Sequence, residues 1–252
     1  MALDTIPIEI AQRISEKWHP DRIILFGSRA RGDVDEESDY DVLVVASQGG
    51  STHDLAVDMH RALAGLNAGV DLLVTTPDRF LWRRRVVGTI EHEAARDGIV
   101  LFERTAGAVT PTAPLVPSAD EIRRVAEERG ERAAGDLRAA RTPEFMEPGR
   151  YEYAAFWAHQ CAKWALTGAF VCHQVEHGRL RTPTDLIGAL ASIDPALAAS
   201  CASASCLTPY ETATYPGGEE VTKAKAEEAV AIAGDVYEKV KEHVAAYGVE
   251  WP

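Results

Sequence analysis

The sequence predicts an α/β domain followed by an all-α helical bundle. Up to about residue 105, short apolar runs alternate with amphipathic segments, which is typical of mixed strands and helices. The stretch 106–117, AGAVTPTAPLVP, contains three prolines among small residues and reads as an extended linker. Beyond it, apolar residues follow helical spacing only. We therefore expect domains at residues 1–105 and 118–248.

Four apolar runs in the first domain predict the strands of a mixed sheet with flanking helices. They cover residues 22–26, 40–46, 70–75 and 99–102. Ile10, Ile14 and Trp18 recur at four-residue spacing, so a helix precedes the first run. Further helices are expected over residues 28–31 and 55–66, from residue 77, and over residues 89–97.

The second domain begins with a helix-start signal. Ser118 is followed three residues later by Glu121, the pattern of a capping box. Long helices are expected over residues 118–140, 149–176 and 222–247, and a short one over residues 183–190. Long helices with short connections predict an antiparallel bundle.

Composition limits the class of protein. The 252 residues are 46% apolar and 26% charged, as in a soluble globular protein. No apolar stretch approaches the roughly 18 residues of a membrane helix, and no signal peptide is visible, so we expect a cytoplasmic location. The four cysteines lack metal or redox spacing and read as reduced thiols.

The charge balance argues against nucleic acid as a partner. A net charge of −13 disfavours non-specific binding to phosphate backbones. Arg83, Arg84 and Arg85 form the clearest local basic spot. We expect these arginines to lie on a solvated helix face, with contact to phosphate or nucleic acid as the second interpretation.

The segment FGSRARGDVDEESDYDVLVV, residues 26–45, carries the chemistry. Alternate side chains of a strand share one face, so Asp39 and Asp41 place two carboxylates side by side. Adjacent carboxylates repel unless a cation lies between them, and hard oxygen ligands suit Mg²⁺. Gly27 and Ser28 form a turn that offers close backbone approach and a hydroxyl to phosphates. Asp71, at the start of another apolar run, supplies a third carboxylate.

This pattern resembles the nucleotidyltransferase superfamily, in its minimal, polymerase-beta-like type. The resemblance implies transfer of a nucleoside monophosphate, AMP from ATP, to an acceptor hydroxyl, with two Mg²⁺ ions. Asp39 and Asp41 would hold both ions, and Asp71 would hold the ion nearer the acceptor. Gly27 and Ser28 would bind the β- and γ-phosphates of the triphosphate. Arg29 or Arg31 would neutralise the leaving pyrophosphate, and the alternative is that both are solvated helix charges.

The second domain resembles a HEPN domain, the helical partner of minimal nucleotidyltransferases. The similarity lies in the stretch 151–166, YEYAAFWAHQCAKWAL, and around residues 183–186. HEPN ribonucleases carry an arginine followed by a histidine, and here Thr184 occupies the histidine position after Arg179 and Arg181. A hydroxyl cannot act as a near-neutral acid or base, so we expect no RNA cleavage.

Three functions follow from these resemblances. The two-domain plan is also similar to kanamycin-type and streptomycin-type antibiotic adenylyltransferases, which favours a small-molecule acceptor held between the domains of one chain or of a homodimer. Glu152 and Glu176 are candidates for an acceptor-side base, and His159 and His173 could line the pocket or be structural. A protein AMP-transferase or antitoxin-like regulator is the second function, and a nucleotide-sensing module without catalysis is the third.

Overall fold

The computed structural model describes residues 5–32, 39–47, 51–66, 68–104, 116–178, 180 and 182–252. The chain divides into two compact units, residues 1–117 and 118–252. We describe each unit by itself.

The N-terminal unit contains a four-stranded mixed sheet, as the sequence predicts. Its strands are β1 (Arg22–Phe26), β2 (Tyr40–Val45), β3 (Val70–Thr75) and β4 (Ile99–Glu103). The strand order is β3-β2-β1-β4, in which β1 runs antiparallel to β2 and β4, and β2 runs parallel to β3. Its helices are α1 (Ile6–Trp18), α2 (Gly27–Arg31), α3 (Thr52–Ala62), α4 (Pro77–Arg83) and α5 (Ile90–Asp97).

Both faces of the sheet are covered. On one face, Tyr40 and Val42 of β2 pack with Ile14 of α1 and Met59 of α3. On the other face, the alternate β2 residue Leu43 packs in a second cluster. That second cluster also contains Ile24, Phe26, Val45, Phe80 and Ala94. Because β2 is apolar and buried on both faces from Val42 to Val45, the aspartates at its beginning stand at the edge of a buried element.

One helix of this unit differs from the sequence prediction at both of its ends. The helix expected over residues 55–66 begins three residues earlier and ends at Ala62. It begins earlier because the Ser51 side chain accepts a hydrogen bond from the backbone N–H of Asp54, an N-cap that the apolar pattern does not reveal. The α5 start at Thr89 and the α4 start at Thr76 use the same kind of cap.

The expected solvated face at residues 83–85 is wrong for two of the three arginines. Arg83 and Arg84 are only 6% and 9% exposed. Arg83 Nε donates to Glu91 Oε2 at 3.0 Å, and Thr75 Oγ1 donates to the other Glu91 oxygen, also at 3.0 Å. This buried network ties α4 to α5 and to the end of β3, so the basic run serves the fold of the unit.

The C-terminal unit is helical throughout the part that the structure describes. Its helices are α6 (Ala119–Ala140), α7 (Tyr151–His173), α8 (Pro183–Leu190), α9 (Pro195–Ser200) and α10 (Lys223–Ala245), with 3₁₀ segments at Pro143–Met146 and Ala202–Thr212. The capping box at Ser118 and Glu121 is present. The helix α9 and both 3₁₀ segments were not expected from the apolar periodicity. Helix α9 and the segment Pro143–Met146 are too short to show an apolar face, and the segment Ala202–Thr212 consists mostly of small and polar residues.

Helix α7 forms the centre of this unit and packs against α6 and α10. Its buried positions are mostly small or apolar, which allows neighbouring helices to approach closely. Trp251 lies against Gly130 of α6 and Gly168 of α7, where an added Cβ would meet the indole at 2.4 Å and 2.6 Å. The Trp251 Nε1–H donates to the backbone oxygen of Ala126 at 3.0 Å. The chain's last residues therefore close the core of the bundle.

No helix within the described ranges is long and apolar enough to cross a membrane. The cysteines are free, with Cys161, Cys172 and Cys201 buried and Cys206 exposed. Burial raises the pKa of the Cys161 and Cys172 thiols to about 12. These two side chains are therefore protonated packing groups.

Candidate active site

The register of β2 and β3 aligns the predicted aspartates at one end of the sheet. Asp41 pairs directly with Asp71 across the parallel ladder. Directly paired residues point to the same face of a sheet, on strands about 4.8 Å apart. Asp39 precedes Asp41 by two residues and so shares its side of the chain. The register therefore places Asp39, Asp41 and Asp71 on one side of the sheet, at the beginning of β2 and β3.

Gly27 lies beside this cluster because β1 ends where β2 begins. Phe26, the last residue of β1, pairs with Asp41. Gly27 follows with φ at 74°, in the left-handed region that favours glycine. A Cβ built on Gly27 would lie 2.0 Å from Oδ2 of Asp41. Position 27 therefore requires glycine for two reasons: its backbone angle, and the space that the Asp41 carboxylate occupies.

Gly69 plays the matching role for Asp39. A Cβ at position 69 would lie 1.7 Å from Oδ1 of Asp39. The backbone oxygen of Gly69 also accepts a hydrogen bond from the Tyr40 N–H at 2.9 Å, which extends the ladder by one residue. The carboxylates of Asp39 and Asp41 are thus each seated against a glycine. The sequence analysis missed Gly69, although its position directly before the β3 run was visible.

The cluster has the chemical character of a divalent-cation site for hard metals. Asp39 and Asp71 are exposed, and Asp41 is half-buried, so solvent and a hydrated ion can reach their oxygens. Three carboxylates at one edge repel one another unless a cation joins them. Mg²⁺ prefers oxygen ligands and keeps waters and substrate phosphates in its remaining positions. The residues present fit Mg²⁺ with a phosphate-bearing substrate.

The remaining predicted site residues lie in α2. Ser28 is half-buried in the first turn, next to Gly27. The Arg29 guanidinium carbon lies 4.0 Å from the centre of the Tyr40 ring, which is itself 3% exposed and part of the opposite face. Arg31 forms an ion pair with Glu93 of α5, with Nη1 and Oε1 2.7 Å apart. Both arginines therefore have protein partners, so a role toward pyrophosphate stays a prediction for each.

Among the described residues of the helical unit, position 184, where the resemblance implies a histidine in the ribonucleases, holds a threonine. The Thr184 hydroxyl lies 2.7 Å from the Thr208 hydroxyl and supports the contact between α8 and the 3₁₀ segment. Arg179 and Arg181, the other residues of that prediction, lie outside the described residues. His159 is fully buried, its Nδ1 lies 3.0 Å from the Leu207 oxygen, and burial lowers its pKa. His159 is therefore part of the buried core of the helical unit, which agrees with the second of the two roles considered for it, a structural one.

Comparison with families of known proteins gives one match in each unit. Residues 8–97 match the nucleotidyltransferase domain family. Residues 126–243 match the HEPN domain family.

Two curated proteins of Methanocaldococcus jannaschii, each named "putative protein adenylyltransferase", are similar to this chain. The first is 68% identical over 28 residues, which is 11% of this chain and 28% of that protein. The second is 35% identical over 81 residues, which is 32% of this chain and 77% of that protein.

Two solved structures resemble the chain at 12% sequence identity. One is a nucleotidyltransferase-like protein from Exiguobacterium sibiricum, with a TM-score of 0.46 over 95% of this chain and 77% of that one. The other is a spectinomycin adenyltransferase from Enterococcus faecalis, solved with ATP and spectinomycin, with a TM-score of 0.43 over 93% of this chain and 98% of that one.

Proposed function

The chain belongs to the nucleotidyltransferase family and carries a HEPN domain, and from this premise we propose that it transfers AMP from ATP to an acceptor hydroxyl with the help of Mg²⁺. The observation that carries the proposal is the placement of three aspartates at one edge of the sheet, with Asp41 paired to Asp71 and with Asp41 and Asp39 seated against glycines. An ordinary strand entry needs neither that charge density nor those two close approaches.

The proposed roles follow from position. Asp39 and Asp41 would hold two Mg²⁺ ions, and Asp71 would hold the ion nearer the acceptor. Bound Mg²⁺ supplies neutralisation of phosphate charge during displacement at the α-phosphate. The Asp71 carboxylate is exposed and accepts the proton that the acceptor hydroxyl loses. The Ser28 hydroxyl and the Gly27 backbone N–H would donate hydrogen bonds to the β- and γ-phosphates. Because Gly27 has no side chain, the phosphates could approach its backbone closely.

A small molecule is the first proposed class of acceptor. Fusion of the transferase domain with a helical domain in one chain supports it, because a regulator and its target are commonly separate chains. The earlier expectation that the acceptor is held between the two domains stays a prediction. A protein acceptor is the second candidate, and the printed names of the two Methanocaldococcus jannaschii relatives favour it.

The test is a transfer reaction with ATP labelled at either the α- or the γ-phosphate. The full-length protein is incubated with Mg²⁺ and ATP, first with a panel of small polyhydroxy compounds and then with a cell extract separated into small molecules and proteins. Label from the α-phosphate is expected in the acceptor, and label from the γ-phosphate in released pyrophosphate. Transfer of the γ-label to the acceptor would identify a kinase and contradict the proposal.

A further inference from the structure

Three side chains of the helical unit that are far apart in the sequence lie close together in the structure. His173 is the last residue of α7, His243 lies in the last turn of α10, and Asp194 caps the start of α9. One potential metal-ligand atom from each lies within 4.8 Å of the other two. No short spacing motif marks these residues, so sequence reasoning could not assemble them.

The two imidazoles face each other through their ε nitrogens. His173 Nε2 and His243 Nε2 are 3.2 Å apart. Two nitrogens that each bind a tetrahedral Zn²⁺ at about 2.05 Å lie about 3.3 Å from one another. The separation in the protein is therefore the one that a single tetrahedral ion requires of two histidine ligands. One N–H···N hydrogen bond between the rings is the competing explanation.

The outer nitrogens of both rings have the partners that metal-binding histidines use. His243 Nδ1 lies 3.6 Å from Asp194 Oδ2. His173 Nδ1 lies 3.4 Å from the Tyr247 hydroxyl. A carboxylate or another polar group on the far ring nitrogen orients a ligating imidazole and fixes its tautomer.

Asp194 is itself held in place. Its Oδ1 accepts a hydrogen bond from the Leu197 N–H at 2.8 Å as the N-cap of α9. Its Oδ2 is the oxygen that faces His243. One oxygen therefore anchors the side chain and the other brings negative charge to the imidazole pair, which lowers the cost of bringing a cation there.

The cluster is reachable from solvent. The side chains of His243 and Asp194 are 19% and 24% exposed. A surface groove of about 300 Å³, lined in part by Asp194, Glu242 and His243, opens beside them.

We propose that His173, His243 and Asp194 form a binding site for one divalent transition-metal ion of the Zn²⁺ class. The two ε nitrogens are the ligands, Asp194 orients His243 and supplies charge, and water fills the remaining positions. Imidazole ligands select such ions over Mg²⁺, so the site is chemically distinct from the carboxylate cluster of the other domain. The bound ion joins the end of α7 to the end of α10 and, through Asp194, to the start of α9.

The test uses untagged full-length protein freed of metal with EDTA and then dialysed. Zn²⁺ bound per chain is measured by equilibrium dialysis with elemental analysis, and Co²⁺ serves as a spectroscopic probe of tetrahedral nitrogen ligation. We expect one ion per chain and, at a concentration 100-fold above the dissociation constant, a rise in melting temperature of about 5 to 10 °C. The variant with both His173→Gln and His243→Gln should lose this ion and the shift.

Asp194→Asn decides the matter even if the double variant fails to fold. Asparagine caps helices as well as aspartate does, so α9 keeps its first-turn hydrogen bond while the charge is removed. We expect unchanged stability without metal and about 10- to 100-fold weaker Zn²⁺ binding. His60→Gln, at an exposed histidine of α3, is the matched control and should bind normally.

A variant with Asp39→Asn and Asp41→Asn should keep the Zn²⁺ ion, which separates this site from the proposed Mg²⁺ site. The proposal is overturned if the wild-type protein binds no ion stoichiometrically. It is equally overturned if Asp194→Asn and the double histidine variant, when folded, bind as tightly as the wild type does; the imidazole pair is then a hydrogen bond only.

Discussion

Replacing Gly69 with alanine tests the geometry of the carboxylate cluster without removing any charge. The new Cβ would lie 1.7 Å from Asp39 Oδ1, whereas ordinary contacts begin at 3.4 Å. The oxygen must therefore move by about 1.7 Å, the difference between these distances. Because Asp39 is exposed and its side chain can rotate, the carboxylate should move while the fold remains.

The expected cost falls on activity. A misplacement of about 1 Å at a reacting group can cost about 100-fold in rate, which corresponds to about 2.7 kcal/mol of transition-state stabilisation. We expect Gly69→Ala to lower kcat/KM about 100-fold or more, to raise the Mg²⁺ concentration needed for half-maximal rate, and to leave the melting temperature nearly unchanged. The assay is the α-label transfer reaction at a series of Mg²⁺ concentrations.

Two further alanine variants calibrate this result. At Gly188 an added Cβ meets nothing within 4 Å, so Gly188→Ala should keep full activity. At Gly27 the positive φ adds backbone strain to the contact with Asp41, so Gly27→Ala should lose both activity and stability. Wild-type kinetics and Mg²⁺ dependence in Gly69→Ala would refute the reasoning, because the position of the Asp39 carboxylate would then not matter.

Three other predictions concern stability and the helical domain. Glu91→Gln removes the carboxylate that pairs with the buried Arg83 guanidinium at 3.0 Å, so urea unfolding should report a loss of about 3 kcal/mol, and an unchanged midpoint would contradict a stabilising role for this ion pair. Burial lowers the pKa of His177 to about 4. Between pH 6.5 and 4 the histidine therefore binds a proton in the unfolded chain but not in the native state. The free energy of unfolding should fall by about 3 kcal/mol as the pH decreases over this range. His177→Phe should remove that part of the pH dependence, measured as the difference from wild type because the raised pKa of Asp136, about 6, acts in the opposite sense in both proteins. Finally, with Thr184 in place of a histidine, the protein should not cleave single-stranded RNA or tRNA on gels; cleavage that disappears with Arg179→Ala would contradict the prediction.

Much of the site could be predicted because strand chemistry is local. The two-residue period of a strand is enough to put Asp39 and Asp41 on one face, and the apolar runs beside Asp41 and Asp71 mark both as strand entries. The structure adds the parallel pairing of β2 with β3, which brings Asp71 opposite Asp41. The structure also explains why position 69 is a glycine. A side chain there would collide with the carboxylate of Asp39, thirty positions earlier in the chain.

The parts that escaped prediction depend on contacts between distant segments. From the sequence, Arg83 is predicted to be one of three exposed cations. In the structure it is buried, because Glu91 of α5 accepts a hydrogen bond from it. Trp251 lies at the end of the chain, yet it fills space left by glycines on α6 and α7. Local patterns report which face of an element is apolar, and they do not report which polar group another element brings to it.

The most direct test of the central claim is Mg²⁺-dependent transfer by the variant carrying both Asp39→Asn and Asp41→Asn. Asparagine keeps the size of each side chain and removes the like-charge repulsion, so the metal-free protein should be at least as stable as the wild type. We expect label from the α-phosphate to reach the acceptor with wild-type protein and with the control Asp58→Asn, an exposed carboxylate of α3, and transfer by the double variant to fall to background. Near-normal transfer by a folded double variant would contradict the assignment of these carboxylates to metal binding and catalysis.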